Sequence, residues 1–340
     1  MKIGMMSFAH GHAIGYLGIL AELGVEIAAA DPDRARADAV CGPRAIAVLD
    51  GYDALLDWGP DAVVIASENI HHRELTEKAA AAGAYVLSEK PLATSLADCR
   101  AMIEACDAAG VGLMTAFPIR FAPAIAQVAA AAHAGRLGRL HALGGRNPGS
   151  LPGGWFCQPE LSGGGSVIDH TVHCGDLMGW MTGAQPATVY AQINMLVQPE
   201  HGVETGGLVA VTFDDGAVAT IDASWSRLPS YPTWGGVTLE VVGSDGVMVA
   251  DAFGEYVEAY LSPEAGGAMW LSYGSDANRG MLLEFLAAVR ERRTPQPDGR
   301  AGMRSTAIAL AAYRSAAAGD VVAVFPEGEE IPAPKPLPGD

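Results

Sequence analysis

The sequence predicts an α/β protein in two domains: an N-terminal Rossmann-type, doubly wound parallel sheet, then an α+β domain on a mainly antiparallel sheet. Three observations predict it. Over the first 116 residues, short apolar runs alternate with Ala-rich helical stretches, the pattern of a parallel sheet covered by helices. Beyond that point the apolar runs lengthen and hairpin turn signals join them. The chain's 340 residues also exceed a usual single domain. The predicted boundaries are 1–118 for the Rossmann domain and 119–331 for the second domain, its late helices free to pack back on the first. A Pro-rich, loosely held tail is predicted at 332–340.

The elements follow in order. Strands are predicted at 2–7, 25–30, 45–49, 62–66, 84–88 and 111–116, with helices at 12–23, 33–40, 72–82 and 96–109. Gly24, Gly83 and Gly110 stand where three of these helices should stop. A helix near 122–134 ends in the turn Gly135-Arg136-Leu137-Gly138. Strands follow at 139–146, 187–197, 207–213, 217–225, 236–242 and 246–250, with Asp214-Asp215-Gly216 and Gly243-Ser244-Asp245-Gly246 as hairpin turns. A helix at 166–181 interrupts them, and helices at 279–292 and 302–317 bracket Pro295.

Composition narrows the function classes. A formal net charge of -18 with no basic stripe disfavours nucleic acid and an anionic membrane surface. No apolar run reaches the length of a bilayer span, and no cleavable signal is visible at the start. Five cysteines without paired metal spacing fit a reducing, cytoplasmic setting.

Two stretches carry chemistry. Ser88-Glu89-Lys90-Pro91 puts a lysine at the end of an apolar strand. Gly163-Gly164-Gly165 opens a helix on which Asp169 and His173 lie four residues apart, on one face. Lys, Asp and His together can take a proton from an alcohol while a hydride leaves. Lys90, Asp169 and His173 are therefore the candidate catalytic residues, and Glu89 and Lys90 are also candidate cofactor contacts.

In a Rossmann fold the turn after the first strand cradles a dinucleotide. Here it reads Ser7-Phe8-Ala9-His10-Gly11-His12, with Ser7, Ala9 and His12 in the three fingerprint glycine places. Ser7, Phe8, Ala9, His10 and His12 are the candidate contacts of this turn. His10 and His12 read as local hydrogen-bonders rather than metal ligands, since neither a Cys nor a carboxylate lies nearby in sequence. Asp31 ends the second strand 22 positions after Ala9, where an acidic residue accepts hydrogen bonds from the adenosine ribose. That favours NAD over NADP, while Arg34 leaves room for NADP. Asp31 also fits a simple helix N-cap. Ser67, Asn69 and His72 follow the fourth strand, at the edge where ligands bind in such sheets.

These residues resemble the Gfo/Idh/MocA oxidoreductases over nearly the whole chain. The resemblance rests on Glu89-Lys90-Pro91, Asn69 with His72, Phe117-Pro118-Ile119-Arg120-Phe121-Ala122-Pro123, Gly135-Arg136-Leu137-Gly138, and Asp169-x-x-x-His173-x-x-Asp176. It implies an N-terminal Rossmann domain, a second domain on a large open, mainly antiparallel sheet, a nicotinamide cofactor, a sugar or polyol substrate, and homodimers or homotetramers formed through that sheet. It also implies that Glu89 fixes the loop near the nicotinamide and that the Lys90–Pro91 bond is cis. The missing glycines are the departure from the family pattern.

Arg146, Asn147 and Trp155, with His173, are the candidate substrate contacts, and Pro148 to Gly154 reads as a loop over the site. Trp155, Phe156, Trp225, Tyr231 and Trp234 suit either a sugar face or a core. Cys174 reads as a small packed residue, and His170 as lying on another helix face. The leading expectation is an NAD(P)-dependent oxidoreductase acting on a CH–OH group. Two alternatives stand beside it: a glycoside-processing enzyme that oxidises transiently with tightly bound NAD, and a non-catalytic dinucleotide-binding regulator.

Overall fold

Apolar strands buried on both faces need helices above and below them, and the chain supplies these in alternation. The computed structural model describes residues 1–260 and 268–340. These divide into two compact units. The first holds Met1–Phe117, Asn278–Met303 and Glu330–Asp340; the second holds Pro118–Ala277 and Arg304–Glu329.

The first unit carries β1 (Lys2–Met6), β2 (Glu26–Ala30), β3 (Ala47–Val48), β4 (Ala62–Ile65), β5 (Tyr85–Ser88) and β6 (Leu113–Thr115), in the order β3-β2-β1-β4-β5-β6. All pairs are parallel. Its helices include α1 (His12–Glu22), α2 (Arg34–Cys41), α3 (Gly51–Asp57), α4 (His72–Ala81) and α5 (Leu96–Ala109). The α3 helix was not predicted. It runs seven residues and buries only Leu55, too little for a helical period to show. The strand order reverses between β1 and β4, which opens a ligand crevice beyond their carboxyl ends.

The second unit carries α6 (Pro123–His133), β7 (Leu140–Ser150), α7 (Pro159–Ser162), α8 (Ser166–Thr182), β8 (Pro186–Asn194), β9 (Gly206–Phe213), β10 (Val218–Arg227), β11 (Thr238–Gly243) and β12 (Gly246–Asp251). A separate hairpin pairs β13 (Tyr256–Tyr260) with β14 (Ala268–Ser272), and β15 (Val322–Ala323) closes one edge. The large sheet runs β12-β11-β7-β10-β9-β8-β15. It is antiparallel except where β7 and β10 lie parallel. The late helices are α9 (Ala277–Glu291) and α10 (Gly299–Ala318).

The C-terminal segment departs from its prediction as a loose tail. The Asp340 carboxylate accepts from the Thr294 backbone N–H and hydroxyl at 2.7 Å each, and Gly339 donates to the Arg292 carbonyl at 3.1 Å. Leu337 is buried, and Arg300 donates to the carbonyls of Pro332 and Ala333. Proline content removes backbone donors but leaves carbonyls free to be held.

Candidate active site

The turn after β1 is tight although its glycines are gone. Ser7 adopts a φ of 72°, the left-handed region that glycine would occupy freely. A serine there costs roughly 1–3 kcal/mol. Its hydroxyl offsets this by accepting from the Ala9 N–H at 3.2 Å and donating toward Asp31 at 3.4 Å. Phe8 is buried and donates its N–H to Asp31 at 2.7 Å. The His10 N–H ties the turn to the Ala66 carbonyl after β4. Gly11 brings no side-chain cap to α1, and His10 satisfies the first N–H groups of that helix instead, taking His12 N–H on Nδ1 at 3.2 Å and Ala13 N–H on its carbonyl at 3.1 Å.

His12 turns toward Glu89, its Nδ1 3.0 Å from Oε1, and His10 Nε2 stands 3.9 Å from the other oxygen. The His12 N–H donates to His10 Nδ1 at 3.2 Å. In the neutral His10 ring the proton is then on Nε2, facing Glu89, which leaves that atom no lone pair for a cation. These three residues do come together within reach of a metal ion. The hydrogen-bond pattern instead makes them a carboxylate held between two imidazoles.

Asp31 is not an open ribose acceptor. Its Oδ1 accepts from the Asp33 N–H at 2.8 Å and Arg36 Nη2 at 2.6 Å. Its Oδ2 accepts from Phe8 and from Arg36 Nε at 2.9 Å. Asp33, not Asp31, caps α2 by accepting from the Arg36 N–H. Arg34 points away and pairs with Asp38 at the exposed surface. The arginine beside Asp31 is therefore Arg36, two positions beyond the one predicted.

Glu89 and Lys90 follow β5, both buried. Burial alone would raise the Glu89 pKa. His10, His12 and Lys90 outweigh it and hold the carboxyl well below its ordinary range. Lys90 donates its backbone N–H to Glu89 at 3.1 Å, and the Lys90–Pro91 bond is cis. Ser67 is buried with its hydroxyl on the Glu68 carbonyl, and Asn69 is buried at the start of a short 3-10 turn, Asn69–His71.

His72 has a different place from the one predicted. It is buried, and its Nδ1 meets the carbonyls of Pro91 at 3.0 Å and Leu92 at 3.2 Å, so it braces the lysine loop from behind. Burial lowers its pKa despite the opposing pull of Glu89 and those carbonyls. The folded ring stays neutral where the unfolded one, near its ordinary 6.5, takes a proton. Its stabilisation is complete above about pH 6.5 and declines below, by at most ~1.4 kcal/mol per pH unit. Glu89, lowered from 4.5, adds a second loss as the pH falls below that value. Urea midpoints should fall between pH 7.5 and pH 5.5, and His72→Gln should flatten that slope; an equal slope in both proteins would refute the assignment.

In the second unit the glycine run serves the start of α8. A Cβ on Gly165 would lie 2.2 Å from the Glu204 carbonyl, and one on Gly164 would lie 2.1 Å from the Tyr313 hydroxyl. Glu204 Oε1 accepts from Gly165 N at 2.7 Å, Val167 N at 3.1 Å and the Tyr313 hydroxyl at 2.5 Å. A carboxylate thus satisfies the orphan N–H groups at the positive end of the helix. Burial, then Glu204, pushes the Tyr313 pKa well up, so its proton stays in place.

Asp169 sits in the first turn of α8, buried. Its Oδ2 accepts from Trp225 Nε1 at 3.1 Å and lies 3.2 Å from His170 Nε2. Trp225 is fully buried, which settles it as core and as a support of Asp169. His170 was expected on another face, yet its ring reaches back to the carboxylate, with the edges of Trp225 and Trp234 against it. His173 lies one turn on, half-buried. Cys174 is packed against Gly145, and burial pushes its thiol up to about 12. Asp176 faces Arg120, which donates Nε at 2.7 Å and Nη2 at 2.6 Å to its two oxygens.

The substrate candidates separate. Along β7 the buried positions face α8: Gly145 lies against Cys174 and Met178, Gly149 against His170. Asn147 shares that face and donates to the His170 carbonyl at 3.1 Å, so it anchors the helix. Arg146 is on the opposite, exposed face, 3.8 Å from Asp222. β7 extends through Ser150, so part of the predicted loop is strand. Trp155 stacks on Phe156 at 3.9 Å in the turn that follows, half-exposed. Tyr231 packs under Arg227 and edges Trp270.

Residues 10–117 match the family described as oxidoreductase family, NAD-binding Rossmann fold, and residues 125–249 match the GFO/IDH/MocA C-terminal domain. The chain is 31% identical to myo-inositol 2-dehydrogenase of Thermotoga maritima, over 79% of this chain and 81% of that protein. It is 30% identical to 1,5-anhydro-D-fructose reductase of Ensifer adhaerens, over 78% and 80% of the two. Among solved structures, GenD2 from gentamicin A biosynthesis, in complex with NAD, superposes with a TM-score of 0.85 at 26% identity, covering 95% of this chain and 96% of that one. With both halves matched and the Rossmann strand order in place, the chain belongs to the Gfo/Idh/MocA family of NAD-binding oxidoreductases.

Proposed function

We propose that this oxidoreductase moves a hydride between a nicotinamide dinucleotide and a secondary alcohol or ketone of a sugar, an inositol or a related polyol. The observation that carries the reading is Lys90: a buried ammonium at the carboxyl end of β5, beside a carboxylate held ionised. The relatives named above act on inositol and on anhydrofructose. The first unit fits a dinucleotide, because the turn after β1 is tight and the strand order reverses between β1 and β4, which opens a crevice beyond their carboxyl ends.

When bound, the nicotinamide supplies a hydride acceptor or donor. The chain's own residues then handle the proton. His173 accepts the substrate hydroxyl proton on a ring nitrogen. In the first unit, the Lys90 ammonium can donate a hydrogen bond to a substrate oxygen and stabilise negative charge developing there. Asp169, fixed by Trp225 and His170, is a positioning residue one helical turn before His173. Glu89 keeps the lysine loop and the β1 turn together through His12 and its own N–H to the Ile65 carbonyl.

A screen of inositols, aldoses and polyols with NAD or NADP, followed by reduced nicotinamide release, tests the reading. Stoichiometric release at a catalytic rate with one such compound is expected. Product formation without net release would favour the transient-oxidation alternative, and no turnover with bound cofactor would favour a regulator.

The open face of the second unit's sheet supports the expected homodimer or homotetramer. Leu208, Val249, Val247, Val218 and Tyr190 are all exposed on it, apolar side chains that a second copy could cover. None of the five cysteines is in a disulfide, which supports a cytoplasmic setting. No helix among the described residues is long and apolar enough to cross a membrane.

A further inference from the structure

We infer that His72 is a positioning residue for Lys90: its Nδ1–H holds the two peptide carbonyls that follow the lysine, and so fixes where the ammonium is presented. The inference rests on the reading that Lys90 serves hydride transfer, and it concerns the first unit alone.

The stretch after β5 is held at few points. Glu89 donates its N–H to the Ile65 carbonyl at 3.0 Å, and the Lys90 N–H turns back to the Glu89 carboxylate at 3.1 Å. Pro91 has no N–H to give, so its own backbone can be anchored only through the carbonyl. His72 takes that carbonyl at 3.0 Å and the next one, of Leu92, at 3.2 Å. One N–H shared between successive carbonyls fixes two peptide planes at once. Because His72 opens α4, which follows β4, the bond ties the connection after β4 to the loop after β5.

The state of the ring suits this task. Two acceptors at Nδ1 put the single proton of a neutral imidazole there. Burial favours that neutral form against the Glu89 carboxylate and the carbonyls of Pro91, Leu92 and Ser67. The ring thus supplies a donor without adding a second buried charge near Lys90. Space-filling alone would be better served by an apolar side chain. His72 is 0% exposed, and its Nε2 has no hydrogen-bond partner among the described residues, a cost that leucine or phenylalanine would avoid. What histidine adds at this position is the N–H one bond from Cγ, aimed at the lysine loop.

Variants of the whole protein test this. His72→Leu fills the space without a donor, and His72→Phe keeps a ring without one, so the pair guards against one variant failing to fold. Each is expected to lower kcat about 10- to 100-fold, the effect of moving a reacting group by a fraction of its own length, with NADH Kd within about threefold of wild type. His72→Asn carries an amide nitrogen on Cγ, where His72 carries Nδ1, and should bring kcat back to within about threefold. The chain has four lysines, Lys2, Lys78, Lys90 and Lys335, so lysine-selective nitrogen-15 labelling gives a spectrum in which Lys90→Met identifies the Lys90 amide. That amide should exchange with deuterium at least about tenfold faster in the leucine and phenylalanine variants and near the wild-type rate in His72→Asn. Folded donor-less variants with wild-type kcat and an unmoved Lys90 amide overturn the inference and leave the dehydrogenase reading intact. A His72→Asn protein as slow as His72→Leu also overturns it, because the donor would then not be what matters. A wild type that binds NADH but turns over no alcohol or ketone overturns the reading on which the inference rests, and the exchange data then report only an anchor of the loop.

Discussion

His173→Asn and Lys90→Met are each expected to lower kcat by about 10²- to 10⁴-fold, the usual weight of a positioned acid or base. NADH affinity should stay within about threefold, since neither change removes a pyrophosphate or ribose contact. The two variants should differ in pH dependence. With His173 present, the rate must fall on the acid side, because a protonated imidazole cannot accept the hydroxyl proton. His173→Asn removes that limb and leaves a slow, flatter profile. Lys90→Met keeps the limb and loses rate throughout, because the ammonium donates a hydrogen bond and a charge rather than taking the proton. Methionine matches the length of the buried lysine stem without a charge to desolvate, so the fold should survive it. Steady-state kinetics across pH check all of this; a Lys90→Met enzyme within about threefold of the wild-type rate would remove Lys90 from the chemistry.

What the sequence showed and what it hid follow from how each feature is encoded. β4 and β5 were legible because a strand buried on both faces must be apolar throughout, and Glu89 and Lys90 stood out as charges interrupting such a run. Arg36 was not legible. Arg34 and Arg36 stand two apart at the start of a helix, and which one returns to Asp31 depends on the phase that the Asp33 cap sets. Arg146 and Asn147 posed a similar problem, because a shift of one residue exchanges the faces of a strand. Glycines at 144, 145 and 149 blank out the alternation that would have told the faces apart. His170 sits next to Asp169, off its helical face, and only the rotation of its side chain brings Nε2 to the carboxylate. The small pieces α3, β13, β14 and β15 are too short or too mixed in polarity to carry a period.

Asp176→Ala should cost the fold about 3–5 kcal/mol, far more than an ordinary helix substitution. The Asp176 and Arg120 side chains are 1% and 8% exposed and meet through two short parallel hydrogen bonds. The guanidinium also lies over the Trp180 ring, 4.8 Å from its centre. Deleting the carboxylate strands a buried cation that has already lost its water, and this desolvation, more than the lost attraction, sets the size of the effect. Removing both charges should therefore be much milder: Arg120→Met with Asp176→Leu is expected within about 1–2 kcal/mol of wild type. Urea denaturation of the wild type, both singles and the double measures the coupling. A single-variant loss under about 1 kcal/mol would mean that water reaches the pair. The pair also bears on activity, because α8 carries Asp169 two turns and His173 one turn before Asp176. If the pair serves only to hold α8 against the turn Pro118–Phe121, the double variant regains kcat along with stability. If it regains stability alone, the pair also sets the register of the catalytic face, since two apolar side chains fill the space without fixing one orientation.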